Sequence, residues 1–196
     1  MSELTGIKQE MIKKICVRDQ DNILDIGCGT GEFLDELTKW RDAVGYGLDL
    51  SEENIEKATK MYPNLHFSVG TSENLSAYED DMFRIVTVSS AFANFPDQQE
   101  FIKDVARILA PGGRFYIGEF ALPGAVRVAR NIVAKVLPSK ERMPSTYEFL
   151  DMFKKAGLSK FRVHQKKNLL LVSAKKPTLE ELAAKDAEGS DPMELF

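Results

Sequence analysis

A nine-residue stretch near the N-terminus, Ile23-Leu24-Asp25-Ile26-Gly27-Cys28-Gly29-Thr30-Gly31, limits the fold more than any other feature of the chain. Ile23 to Ile26 read as a short apolar strand interrupted by one carboxylate. Three glycines follow at alternate positions. Glu32-Phe33-Leu34-Asp35-Glu36-Leu37 then starts a helical pattern with Phe33, Leu34 and Leu37 on one face. A strand that turns through glycines into a helix is a ligand cradle. Glycine takes positive φ and lets a ligand approach the backbone without meeting a Cβ. The helix start adds unpaired N–H groups.

The glycine spacing selects the ligand class. Dinucleotide folds carry G-x-G-x-x-G. Here the spacing is G-x-G-x-G with Glu32 at the sixth position. A carboxylate there opposes a pyrophosphate but tolerates a cofactor that ends in an amino acid with its ammonium. The spacing therefore argues against NAD and toward S-adenosyl-L-methionine.

Periodicity sets the rest of the chain around this turn. Leu4, Ile7, Met11 and Ile15 predict an amphipathic helix over 3–16. Strands are predicted at 22–26, 44–49, 65–69, 83–89 and 115–120. Helices between them run to about Trp40, from the N-cap Ser51 to about Met61, and from Asp97 to Leu109. This alternation predicts an α/β, Rossmann-like doubly wound parallel sheet. A further helix follows Pro144-Ser145. The strands 161–165 and 169–174 are joined by Lys166-Lys167-Asn168, a link so short that they must be antiparallel. The expected sheet is seven-stranded with a C-terminal antiparallel hairpin, in one domain over 1–176. Pro111-Gly112-Gly113 is expected to turn the chain into strand five.

Two segments fall outside this scheme. Residues 121–143 carry Arg127, Arg130, Lys135, Lys140 and Arg142 interleaved with apolar residues. They read either as a substrate lid, basic toward an acidic substrate or a peripheral membrane contact, or as a surface helix with solubilising charges. Residues 177–196 form an acidic tail in which Thr178 and Glu181 are spaced to cap a short helix. The stretch after Lys185 reads as disordered.

Bulk properties exclude other classes. The 196 residues suffice for one sizeable core, and 43% hydrophobic with 29% charged residues is ordinary for a globular protein. A net charge of −4 gives no general pull toward nucleic acid. The two cysteines, Cys16 and Cys28, form no disulfide framework. The N-terminus lacks the pattern of a signal peptide, so the chain reads as cytoplasmic. His66 and His164 lie away from the predicted ligand edge, and no metal-ligand spacing appears.

Four stretches together resemble the class I S-adenosylmethionine-dependent methyltransferases, closest to the small-molecule branch that includes quinone-biosynthesis enzymes. They are Ile23–Gly31, Gly45-Tyr46-Gly47-Leu48-Asp49-Leu50-Ser51, Gly70-Thr71-Ser72-Glu73-Asn74-Leu75 with Phe83-Arg84-Ile85-Val86, and Leu109-Ala110-Pro111-Gly112-Gly113-Arg114. The resemblance implies methyl transfer from S-adenosyl-L-methionine, with S-adenosyl-L-homocysteine as product and a small-molecule acceptor. It places Gly27, Cys28, Gly29 and Gly31 around the cofactor, with Asp25 supporting the loop and the methionine end. Asp49 takes the ribose hydroxyls. Thr71, Ser72 and Glu73 face the adenine, and Leu50 flanks it. Thr71 stands where the family usually has Asp, and Arg84 also replaces an Asp, a change expected to be structural.

In an open parallel sheet, ligands bind at the carboxyl ends of the strands. Ser90, Phe92 and Asn94 follow strand four there, and Glu119 ends strand five. Glu119 and Asn94 are the catalytic candidates, Glu119 as base or acceptor-binding group and Asn94, with Phe92, as orienting group. Ser90 is carried as a cofactor contact. Asp80 and Asp81 lie at the opposite edge and are discounted. Ala91–Phe95 lacks the His that many relatives carry near the reacting centre. That gap keeps open a second reading, a non-catalytic methyltransferase-like domain that binds the cofactor or a partner. A protein or RNA methyltransferase is weakened by the absence of an N-P-P-Y-type motif and of a broad basic face.

Overall fold

The computed structural model describes residues 3–71, 74–120 and 143–189. The elements run α1 (Glu3–Ile12), β1 (Asn22–Ile26), α2 (Glu32–Thr38), β2 (Val44–Asp49), α3 (Glu52–Met61), β3 (His66–Val69), β4 (Phe83–Ser89), α4 (Gln98–Ile108), β5 (Leu109–Phe120), α5 (Thr146–Lys155), β6 (Ser159–Lys166), β7 (Leu169–Lys175) and α6 (Leu179–Gly189). Short 3-10 turns span Asn74–Ala77 and Phe92–Asn94. The seven strands lie in the order β3-β2-β1-β4-β5-β7-β6. Strands β1 to β5 are parallel, and β7 runs antiparallel to both β5 and β6. The architecture is the expected doubly wound sheet closed by a hairpin. The proposed lid, 121–143, lies outside the described residues except for Met143.

Side-chain alternation assigns the two faces. Leu24, Ile26, Val86, Val88, Phe115 and Ile117 pack with Phe101, Ile102 and Val105 of α4 and Phe149 and Phe153 of α5. Ile23, Ile85, Tyr116 and Leu171 face the other way, against Ile7 and Met11 of α1 and Phe33, Leu34 and Leu37 of α2. Each such fully buried side chain contributes about 1.5–3 kcal/mol.

Several helices start where their caps predict. The Ser51 hydroxyl accepts from the Asn54 N–H at 3.2 Å, and Asp97 accepts from the Glu100 N–H at 2.9 Å. Ser145 and Glu148 close a full capping box on α5.

Two expectations are corrected. Pro111-Gly112-Gly113 does not precede β5 but lies inside it. The β4–β5 register jumps between Phe83↔Leu109 and Ile85↔Arg114, so the extra residues bulge. Arg84 holds the bulge by donating to the Pro111 carbonyl at 2.9 Å, and Gly112 and Gly113 pair with Lys176. The stretch after Lys185 also departs from expectation in part, because residues 186–189 continue α6. Its first turn is closed by reciprocal bonds between Thr178 and Glu181, at 3.0 and 3.2 Å. Glu181 also pairs with Lys160 and Lys175, and these bonds pull its carboxyl down to about 2.

Candidate active site

The strand order reverses between β1 and β4, which opens a crevice at their carboxyl ends. A cleft of about 410 Å³ lies there, lined by Ile26, Gly27, Asp49, Leu50, Gly70, Thr71, Ala91, Asn94, Phe95 and Pro96. Loops after four parallel strands thus converge on one cavity. Gly27, Asp49, Leu50, Thr71 and Asn94, named from the sequence, all line it.

The glycine turn after β1 has the geometry its spacing implies. Gly29 sits at φ +59°, and a Cβ placed there would meet nothing within 4 Å. Its open side therefore faces free space, as a cradle for a ligand requires. Gly31 sits at φ +84°, and a Cβ there would lie 2.7 Å from the Phe67 ring. Only glycine starts α2 at that point without strain.

Asp49 ties the cradle to the next strand. Its Oδ2 accepts from the Gly29 N–H at 2.8 Å. Its Oδ1 accepts from the Ser51 N–H at 2.9 Å and from the Asn54 amide at 3.3 Å. A carboxylate offers about four lone-pair directions, so the protein itself uses three. The expected pair of bonds to a ribose diol therefore needs the fourth direction and the displacement of Asn54, whose bond is the longest of the three.

Asp25 lies deeper, one side chain below the loop. It is 1% exposed, and its Oδ1 accepts from the Thr87 hydroxyl at 2.7 Å. Burial pushes its carboxyl up to about 6, partly offset by the Thr87 bond. Cys28 is buried against Gly47, and burial drives its thiol far above the ordinary range, with the charges of Asp25 and Asp49 adding. It packs and does not attack.

At the end of β4, Ser90 has φ +57° and donates its N–H to the Gly118 carbonyl at 2.8 Å. The Ser89 and Ser90 hydroxyls are both buried with no hydrogen-bond partner among the described residues. Orphaned hydroxyls beside a glycine cradle and an anchored carboxylate fit a polar cofactor with hydroxyl and ammonium groups.

The structure redistributes the remaining candidates. Phe92, expected to orient an acceptor, is fully buried against Phe95, Phe101 and Phe149. Phe95 lines the cleft instead, with Pro96. The 3-10 turn rotates the chain so that alternate positions no longer share a face, a shift no strand-like reading of 91–95 contains. Glu119 is 7% exposed and is not among the cleft's lining residues; its Oε1 accepts from the Phe92 N–H at 2.8 Å. Ser72 and Glu73 lie outside the described residues. Asp80 pairs with Arg107 and Asp81 with Lys176, at 2.6 Å each. His66 stacks on Tyr46 at 4.9 Å.

A model of the methyltransferase domain family matches residues 24–117. The demethylmenaquinone methyltransferase of Staphylococcus haemolyticus is 30% identical over 182 residues, covering 80% of this chain and 76% of that protein. The chain belongs to the class I S-adenosylmethionine-dependent methyltransferases. The methyl donor of this family is S-adenosyl-L-methionine. The demethylmenaquinone methyltransferase of Chlorobaculum tepidum is also 30% identical, over 162 residues, and the chain spans 66% of its length. The crystal structure of the YcgJ protein from Bacillus subtilis superposes with a TM-score of 0.74 at 21% identity, covering 88% of this chain and 99% of that one. That likeness is one of methyltransferase fold. Among the described residues, no helix of this methyltransferase is long and apolar enough to cross a membrane.

Proposed function

We propose that this chain transfers a methyl group from S-adenosyl-L-methionine to a small-molecule acceptor, with a demethylated quinone ring as the acceptor class to test first. The observation that supports it most is the join between Asp49 and Gly29, which sets a carboxylate and a glycine cradle on one cleft at the switch point of the sheet. Two relatives at 30% identity are demethylmenaquinone methyltransferases by name, which supports the acceptor class.

Bound in this cleft, the cofactor supplies a sulfonium that is already an activated methyl donor. Asp49 would hold the ribose, with Leu50, Thr71 and Phe95 around the adenine. Gly27 and Gly29 would let the methionine end approach the backbone, and the negative Asp25 below favours its ammonium. Asn94 would orient the acceptor at the mouth. In-line transfer then rests on proximity, which needs the reacting atoms about 3–3.5 Å apart in a site that excludes water. Glu119 would act by fixing the Phe92 amide, and so the turn that carries Asn94 and Phe95, rather than by taking a proton.

Calorimetry with the wild type and Asp49→Ala tests the cofactor site. Loss of a charged acceptor should weaken S-adenosylmethionine binding by about 1.5–3 kcal/mol, on the order of 10–100-fold. Equal affinities would remove Asp49 from the site. The alternative, a binding protein without catalysis, draws on Thr71 in place of an acid and on a β4 loop without histidine. Release of S-adenosylhomocysteine with hydroxynaphthoquinone acceptors distinguishes the two. Cofactor binding with no product from any acceptor would favour the alternative.

A further inference from the structure

A second cavity lies on the α1 side of the sheet, away from the cofactor cleft. It measures about 410 Å³ and is lined by Lys14, Tyr116, Arg162, Val163, His164, Leu171 and Ser173. Its floor belongs to a polar row that crosses the sheet in register. Asp25 pairs with Thr87, Thr87 with Tyr116, Tyr116 with Ser173, and Ser173 with Arg162. Directly paired residues project on the same face of a sheet. One end of this row lies in β1, two residues before the glycine turn, and the other opens into the second cavity.

The charges in this cavity are unbalanced. Arg162 and Lys14 are exposed at its rim, and neither has an ion-pair partner among the described residues. Arg114 lies beside it, donating to the Ser173 hydroxyl at 3.3 Å and to the Lys160 carbonyl at 3.1 Å. Burial holds the Arg114 guanidinium below its ordinary value, and the like charge of Arg162 adds to this. Glu10 lies 4.0 Å from His164 but is already paired with Lys13 and Lys166 at 2.8 Å each.

A second observation concerns Tyr116. The residue is 8% exposed and lines the cavity, and no hydrogen bond joins its hydroxyl to another described residue. A phenol donor, two unpaired cations and a guanidinium-bound serine converge in a chain whose net charge is −4. Nothing in the methyl-transfer reading uses them.

We propose that this cavity binds a phosphate-class oxyanion, with Arg162 and Lys14 supplying charge and the Tyr116 hydroxyl donating a directional bond. Arg162 presents a planar fork matched to two phosphate oxygens. Tyr116, held in the core, fixes the depth at which the third oxygen sits. The phosphate is either free in solution or the headgroup of a lipid, and both present the same chemistry to these three side chains.

The full chain is titrated with inorganic phosphate at constant ionic strength, and separately with vesicles of phosphatidylcholine with and without phosphatidic acid. Binding with Kd on the order of 0.1–1 mM is expected for so few charged contacts. Arg162→Gln should weaken it about tenfold or more, and Tyr116→Phe about three- to tenfold. Arg41→Gln, which removes an exposed cation elsewhere, should leave it unchanged. Arg162 is on the surface, so its variant tests binding without threatening the fold. Circular dichroism checks Tyr116→Phe. Phosphate binding lost in both variants supports a site for the free ion. Binding only to phosphatidic acid vesicles, lost in the same variants, supports a headgroup site. Absence of both, or equal losses in Arg41→Gln and Arg162→Gln, overturns the proposal.

Discussion

Asp25→Asn should make the ligand-free protein more stable. Asp25 is wholly buried, and its carboxyl is raised from 3.8 to about 6. The native state therefore holds its proton to a higher pH than the unfolded chain does. Below pH 3.8 the group is protonated in both states and contributes nothing to the difference. Stability is lost as pH rises through the window from 3.8 to about 6, and the loss is complete above it. At about 1.4 kcal/mol per unit, the loss amounts to about 3 kcal/mol at neutral pH. Asparagine removes the charge, and its amide oxygen still accepts the Thr87 hydroxyl, which lies 2.7 Å from Oδ1 in the wild type. Its amide N–H₂ is itself buried, so the net gain should be about 1.5–3 kcal/mol at pH 7.5. With a urea m-value of about 2 kcal/mol/M, the unfolding midpoint should rise by about 1 M. The gain should shrink toward pH 4. The same variant should bind S-adenosylmethionine less tightly, because the cofactor's ammonium loses a negative neighbour. Urea titrations of both proteins from pH 4 to 7.5 test this. The reasoning fails if Asp25→Asn is the less stable protein at pH 7.5, or if the difference does not change with pH.

Two further substitutions probe the cradle and its support. Gly31→Ala forces a Cβ into the left-handed region and to within 2.7 Å of Phe67. It should cost about 2–4 kcal/mol in unfolding free energy, and a loss under about 1 kcal/mol would mean the turn relaxes freely. Glu119→Gln keeps an oxygen for the Phe92 N–H, so turnover should stay within a few-fold of wild type across pH. Glu119→Ala orphans that N–H and should destabilise by about 1–3 kcal/mol. A rate loss of about 10²–10⁴ in Glu119→Gln, with the pH dependence abolished, would instead establish a general base.

Much of the architecture was legible because its causes are local. A cap acts over three residues, so Ser51, Ser145 and the pair Thr178–Glu181 announced their helices from the sequence. A link of two or three residues permits only an antiparallel pair, so the β6–β7 hairpin could be read without any tertiary information. The glycine turn is equally local: positive φ at Gly29 and Gly31 follows from the demands of a strand entering a helix within five residues. The rule that ligands gather at strand carboxyl ends carried Gly27, Asp49, Leu50, Thr71 and Asn94 to one cleft.

The tertiary structure decided everything that depends on which distant residues share a face. Phe92 and Phe95 differ by three positions and are chemically identical. Packing against α4 and α5 buries the first completely and leaves the second at the cleft. Glu119 reads as a carboxylate at a ligand edge until the fold brings the Phe92 amide, 27 residues away, against it. Asp25 and Thr87 are 62 residues apart. Tyr116, Ser173 and Arg162 belong to three strands whose registers alone place a phenol, a hydroxyl and a guanidinium in one row. Spacing along the chain encodes turns and periodicity because those interactions span a few residues. Register across a sheet is settled by the burial of both faces at once, so the groups it brings together are visible only in the folded molecule.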